Sequence, residues 1–181
     1  MTLSLITGGA GFIGSNLADQ LLAMGHKVTV VDNEYSDAHD QFYWNKNTYN
    51  VNCDIRDYKT LKNCMHDVDY VFHFAAEARI QPAIKNPIEA VSINSLGTCT
   101  VLQCAKEAGV KKVMYSSTSA GYGLNPYPNV ETQPDDVDEY ITFFTPASHA
   151  HCRTVQVPNE LILTASIGFL IAGCILASAA K

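Results

Sequence analysis

The chain has 181 residues, of which 47% are apolar and 17% charged, with a formal net charge of −6. That length can bury one real core, while the acidic balance leaves no basic stripe for nucleic-acid phosphates, Lys111-Lys112 being only a pair. Its six cysteines (Cys53, Cys64, Cys99, Cys104, Cys152 and Cys174) form no Cys-x-x-Cys pair, which argues against zinc and thioredoxin-like chemistry and against a disulfide framework.

Residues 3–6 are a short apolar run of strand length, and the strand begins at once. No signal peptide is therefore expected, and the cytoplasm is the natural compartment. The run leads into Gly8, Gly11 and Gly14 at three-residue spacing, with a helical pattern opening behind them. Phe12, Ile13, Leu17, Leu21 and Leu22 are expected on one face of that helix. In such a loop the first glycine permits a tight turn, the second lets backbone approach a pyrophosphate, and the third lets helix pack on strand. The pyrophosphate would sit on the free amides of the helix start.

Residues 27–31 form the second strand, and Asp32 ends it about twenty residues beyond the glycines, where a carboxylate accepts from ribose hydroxyls. A carboxylate there repels a 2′-phosphate, and no Lys or Arg follows until Lys46, so NAD is favoured over NADP. A polar, aromatic stretch (33–50) precedes a third strand at 49–53, which ends at Asp54. Residues 58–65 read as helix, 70–74 as a buried fourth strand followed by Ala75-Ala76, and 88–108 as a longer helix stopped by Gly109. A fifth strand ends at 113–116. Repeated strand–helix–strand units imply a parallel sheet with helices on both faces. Gly8, Asp32, Asp54, Ala75 and Ser116 all fall at strand carboxyl ends, where ligands bind.

Residues 123–138 are rich in Pro, Asn and Asp and read as loop. Beyond them only Arg153, Glu160 and Lys181 are charged in the last 41 residues, against 27 charges in the first 140, and residues 161–180 carry none. His149 and His151 lie two apart beside Cys152. That spacing shares no helical face, so the segment reads as an ordinary loop and no metal site is expected. His73 reads as a satisfied core histidine.

The segments TGGAGFIGSNL (7–17), VVDN (30–33), CDIRD (53–57), VFHFAAEARI (71–80), INSLGT (93–98) and YSSTSAGYG (115–123) together resemble the extended short-chain dehydrogenase/reductases. Among these, the nucleotide-sugar epimerases and dehydratases of the UDP-glucose 4-epimerase type are the nearest in pattern. The resemblance covers about residues 1–136 and implies a Rossmann-type, doubly wound α/β sheet of strand order 3-2-1-4-5 that binds NAD. Carried over by position, it implies that Phe12 and Ile13 give amides to the pyrophosphate and that Asp32 and Asn33 hold the adenosine ribose. Asp54 and Ile55 would flank the adenine. Phe74, Ala75 and Ala76 would line the cofactor, Asn94 would steady the neighbouring loop, and Ser116 would sit by the nicotinamide. Thr118 matches the catalytic hydroxyl that bonds the reacting sugar. Partners implied are a UDP-sugar substrate and a second copy of the chain, paired through helices.

The resemblance also implies a tyrosinate base with a lysine four residues later, about twenty residues past Tyr122-Gly123. Here Tyr140 is followed at that distance by Phe144, and the only lysine after Lys112 is Lys181. The pair Tyr58 and Lys62 has the spacing but lies far from the nicotinamide end. A hydroxyl such as that of Thr118 is a poor base alone at neutral pH. The expectation is an NAD-binding domain over 1–136 and a divergent, apolar tail over 137–181. Such a chain would bind NAD weakly or not at all and turn over no sugar. Three readings of the tail stand open: a truncated or frame-shifted gene, a non-catalytic NAD-binding module, and a membrane-associating helix over 161–180.

Overall fold

In the computed structural model, residues 1–36 and 41–116 and the backbone of Cys152–Val155 are described. In chain order the elements are β1 (Leu3–Thr7), α1 (Phe12–Ala23), β2 (Lys27–Asp32), β3 (Tyr49–Asn52), α2 (Tyr58–Cys64), β4 (Tyr70–His73), α3 (Ile80–Lys85), α4 (Pro87–Val91), a π-helical segment (Ser92–Gly97), α5 (Thr98–Ala108), β5 (Lys112–Ser116) and β6 (Cys152–Val155). The sheet order is β3-β2-β1-β4-β5-β6. The first five strands run parallel, in the expected 3-2-1-4-5 order.

β6 departs from the expected tail. It pairs antiparallel with β5, placing Cys152 opposite Ser116 and Val155 opposite Val113. The tail carries no strand–helix alternation to announce it. An antiparallel edge strand needs no crossover helix, so four residues suffice. Cys152 thus opens a strand rather than lying in a loop. His149, His151, Thr118 and residues 161–180 fall outside the described residues, and no described helix is long and apolar enough to cross a membrane.

Alternation along β1 builds both layers of the core, because successive side chains point to opposite faces. Leu5 packs on one face with Val31, Val71, Val113, Leu61 of α2 and Val101 of α5. Ile6 packs on the other with Val28, Val30 and Ala18 and Leu21 of α1. The helix ends follow local chemistry. Asp57 caps α2 by accepting from the amides of Lys59 and Thr60. Gly109, at φ +71°, closes α5 in the left-handed region that glycine tolerates best.

The expected helix over 88–108 is broken into α4, the π-helical segment and α5, and α3 was not anticipated. Pro87 starts α4 at its first position, where proline is tolerated, and Asn86 caps it. Gly97, at the end of the π-helical segment, packs on Ile55, whose Cδ1 a Cβ there would meet. The chain passes Ile55 so closely that a side chain at 97 would displace the end of the Ile55 side chain. π-bulges of this kind commonly lie at functional sites.

Candidate functional site

The strand order reverses between β1 and β4, and ligands of such sheets bind above the strand carboxyl ends at that point. The three glycines after β1 have different surroundings. A Cβ on Gly8 (φ +66°) would stand 2.7 Å from Ala75 N and 2.8 Å from Phe74 C, so this turn lies directly on the chain leaving β4. A Cβ on Gly14 would stand 2.4 Å from Gly8 O and 2.6 Å from Gly9 Cα. These two glycines are required by packing. Gly11 is not: its backbone is ordinary (φ −75°, ψ 174°), and its Cβ would meet only Gly8 O, at 3.4 Å.

Gly11 is also the N-cap of α1 and makes no side-chain cap bond. Ser15 N–H makes the first bond back to Gly11 O, at 3.0 Å. Helix geometry leaves the amides of Phe12, Ile13 and Gly14 ahead of that bond without intrahelical acceptors. The positive end of the helix dipole and an open cradle therefore coincide, which fits a dinucleotide pyrophosphate. Phe12 and Ile13 are not on the buried face as expected. Phe12 is 77% exposed, and the buried residues of α1 are Gly14, Ala18 and Leu21. The first turn points its side chains outward because its backbone turns toward the cleft.

Asp32 ties two loops together. One carboxylate oxygen accepts from Ala10 N–H at 3.1 Å and the other from Glu34 N–H at 2.8 Å. Glu34 adopts φ +54° to make this turn, and Trp44 Nε1–H holds its carboxylate at 2.7 Å. Asn33 Nδ2 donates to Asp54 Oδ2 at 3.2 Å, so the two residues expected at the adenosine are in contact. Asp54 is gripped by Arg56 through Nε at 2.9 Å and Nη2 at 2.6 Å. These bonds hold its carboxyl below the usual range, outweighing the opposing effect of burial. Arg56 Nη1 reaches Glu89 at 2.9 Å and Ser92 Oγ at 3.0 Å, joining this loop to α4 and the π-helical segment. Ile55 is 5% exposed. Its side chain packs inward against Gly97, so an adenine beside it would have to meet backbone.

On the other side of β1, Asn94 bonds the loop after β4 twice. Its Oδ1 accepts from Glu77 N–H at 2.8 Å and its Nδ2 donates to Glu77 O at 3.0 Å. Phe74, Ala75 and Ala76 lie in the loop so held. Glu77 is itself buried, with Arg79 Nε 3.3 Å from its carboxylate. Behind the loop His73, 1% exposed, lies between Thr7 Oγ1 at 2.6 Å and Thr98 Oγ1 at 2.9 Å. Burial lowers its pKa to about 4. Ser116 ends β5 at the same edge of the sheet.

Sequence reasoning missed Thr7, Arg56, Glu77 and Thr98. All four carry side chains that bind loops to one another, a role that periodicity does not signal. Thr98 could have been noted as the hydroxyl following Gly97. Tyr58 and Lys62 turn out to be a clasp between helices. Lys62 Nζ donates to Tyr58 Oη at 3.0 Å, and both engage Glu107 of α5. No group of three His, Cys, Asp or Glu side chains suited to a metal occurs among the described residues.

The model of the NAD dependent epimerase/dehydratase family matches residues 4–148. A UDP-N-acetyl-alpha-D-glucosaminuronate decarboxylase from Bacillus cytotoxicus is 40% identical over 161 residues, covering 84% of this chain and 47% of the relative. A UDP-glucose 4-epimerase from Halalkalibacterium halodurans is 40% identical over 121 residues, covering 66% of this chain and 35% of the relative. Among solved structures, UDP-glucose-4-epimerase from Stenotrophomonas maltophila, with bound NAD and formylated UDP-arabinopyranose, superposes with a TM-score of 0.64 at 26% identity. That match covers 99% of this chain and 49% of the other. The chain thus spans less than half the length of these curated relatives.

Proposed function

This chain belongs to the NAD-dependent epimerase/dehydratase family, and from that premise we propose that it is the NAD-binding part of an enzyme that converts UDP-sugars through a transient keto-sugar. One observation carries the reading. Gly8 and Gly14 are glycines because protein backbone lies against them, whereas Gly11 faces no such backbone and leaves room at the amides of α1. That room suits a pyrophosphate held by the amides of Phe12, Ile13 and Gly14.

NAD, when bound, would supply reversible hydride transfer at a sugar carbon. The residues of this chain do the holding. Asp32 and Asn33 face the adenosine ribose, and the acidic end of β2 disfavours a 2′-phosphate. Asp54, fixed by Arg56, and the backbone at Ile55 flank the adenine. Phe74, Ala75 and Ala76, steadied by Asn94, line the middle of the cofactor, and Ser116 stands toward the nicotinamide. Thr118 bonds the reacting hydroxyl of the sugar. The proton transfer needs a base such as a tyrosinate with a lysine four residues on, and no such pair follows Thr118 in this sequence. The chain alone is therefore expected to bind NAD without converting UDP-glucose to UDP-galactose. The sequence by itself suggests weak NAD binding at most. The open space at Gly11 beside the amides of α1 supports measurable binding.

The test is Gly11→Val, titrated with NAD by calorimetry. The backbone angles of Gly11 suit a β-branched residue, so the thermal midpoint should stay close to that of the parent chain while NAD binding is lost. Unchanged NAD affinity in a folded Gly11→Val chain would refute the placement. Sugar turnover by the unsubstituted chain would refute the division of labour.

A further inference from the structure

We propose that His73 is a positioning residue: through Thr7 on one side and Thr98 and Asn94 on the other, it fixes how far the loop after β4 stands from the glycine loop, and so sets the width of the dinucleotide cleft. The inference rests on the NAD-binding reading and goes beyond it, because His73 is too deeply buried to touch cofactor or substrate.

The bond directions can be worked out. A threonine hydroxyl has one proton to give, and that of Thr98 goes to Asn94 O at 2.6 Å. Threonine hydroxyls in helices commonly bond the carbonyl four residues back, and Thr98 N–H itself turns to Ser95 O. Thr98 Oγ1 must therefore accept from His73 Nε2, 2.9 Å away. A neutral ring protonated at Nε2 has a bare Nδ1, so the Thr7 hydroxyl donates to it across 2.6 Å. The free side of Thr7 Oγ1 faces Ala75 N–H at 3.5 Å. At the far end, Asn94 clamps both backbone groups of Glu77.

The relay begins at the residue before Gly8 and both its ends fall on one loop, at Ala75 and Glu77. That loop already touches Gly8 backbone to backbone. Every link has a fixed direction, so one tautomer and one spacing are selected. A histidine that merely filled space would need only its shape.

The experiment measures NAD affinity of the unsubstituted chain, Thr98→Val and Thr98→Ser by calorimetry, together with the ¹⁵N spectrum of the His73 ring. Losing the hydroxyl breaks the relay at its centre and leaves buried groups unpaired. Thr98→Val should weaken NAD binding on the order of tenfold, whereas Thr98→Ser, which keeps the hydroxyl, should stay within about twofold of the parent. A purely structural role would lower the thermal midpoint and leave the affinity of the folded fraction unchanged. The ring should show a protonated Nε2 and a bare Nδ1, a readout that needs no variant to fold. Parent-like NAD binding by folded Thr98→Val, failure of Thr98→Ser to restore it, or a ring protonated at Nδ1 would each overturn the inference. No NAD binding by the unsubstituted chain would overturn the proposed function, and the inference with it.

Discussion

Acidification from neutral pH to pH 5 should destabilise this fold through one buried ring. Burial moves His73 from its usual 6.5 to about 4, and its described neighbours are the hydroxyls of Thr7 and Thr98 and the Tyr115 ring, whose centroid is 5.6 Å away. None of these compensates a positive charge. The folded state therefore binds a proton less readily than the unfolded state. The stabilisation is complete above the unfolded pKa and is lost as pH falls toward the folded one. At about 1.4 kcal/mol per unit, the gap corresponds to about 3 kcal/mol in all, of which about 2 kcal/mol should disappear between pH ~7 and pH ~5. The carboxyls of Asp54, Asp57, Asp69 and Glu107 are all lowered. Their contributions are retained until pH falls to the carboxylate range, below this window. Urea unfolding across the window, on the parent chain and on His73→Gln, isolates the ring. The parent should lose about 2 kcal/mol more than the variant. Parallel curves for the two proteins would show that the buried-histidine argument is wrong.

Two further substitutions test the packing around the cleft. Gly8→Ala combines a left-handed backbone with a Cβ 2.7 Å from Ala75 N. It should lower unfolding free energy by about 2–5 kcal/mol, whereas Gly109→Ala, equally left-handed but with nothing within 4 Å, should lose only about 1–2 kcal/mol. Equal losses in denaturant titrations would contradict the close approach of the two loops. Arg56→Ala removes the bonds to Asp54, Glu89 and Ser92. It should lower stability by about 1–2 kcal/mol, read as a drop in thermal midpoint that Arg56→Lys only partly restores.

The parallel sheet was legible because its signals are local. Strand-length apolar runs, a glycine triplet and acids at strand ends recur in register with the five strands, and the order followed from the repeated strand–helix–strand unit. What stayed hidden depends on contacts distant in sequence. Nothing near Gly97 announces that it must pass Ile55, so the helix over 88–108 read as continuous. In α3 Pro82 stands inside a six-residue segment, where proline argues against a helix. Phe12 and Ile13 fit an apolar stripe, but cleft-facing backbone takes their side chains out of the core. Asp32, Asn94 and the glycines could be singled out because their residue types serve backbone geometry directly. Thr7, Thr98 and Glu77 were not, because their importance lies in which partner each one meets.

The pair of hydrogen bonds accepted by Asp32 has a bearing on how this strand end can change. Replacing the acid at this strand end with a small neutral residue is the obvious route toward accepting a phosphorylated ribose. Here that same carboxylate anchors Ala10 of the glycine loop and the turn at Glu34. Replacing it with a residue that lacks both acceptor oxygens would leave the amides of Ala10 and Glu34 without these partners. A successful conversion must bring its own acceptors for those two amides, for instance a serine or asparagine side chain from the same turn. The side chain at this strand end therefore has an architectural duty of its own, and any exchange there is constrained by the two loops it joins.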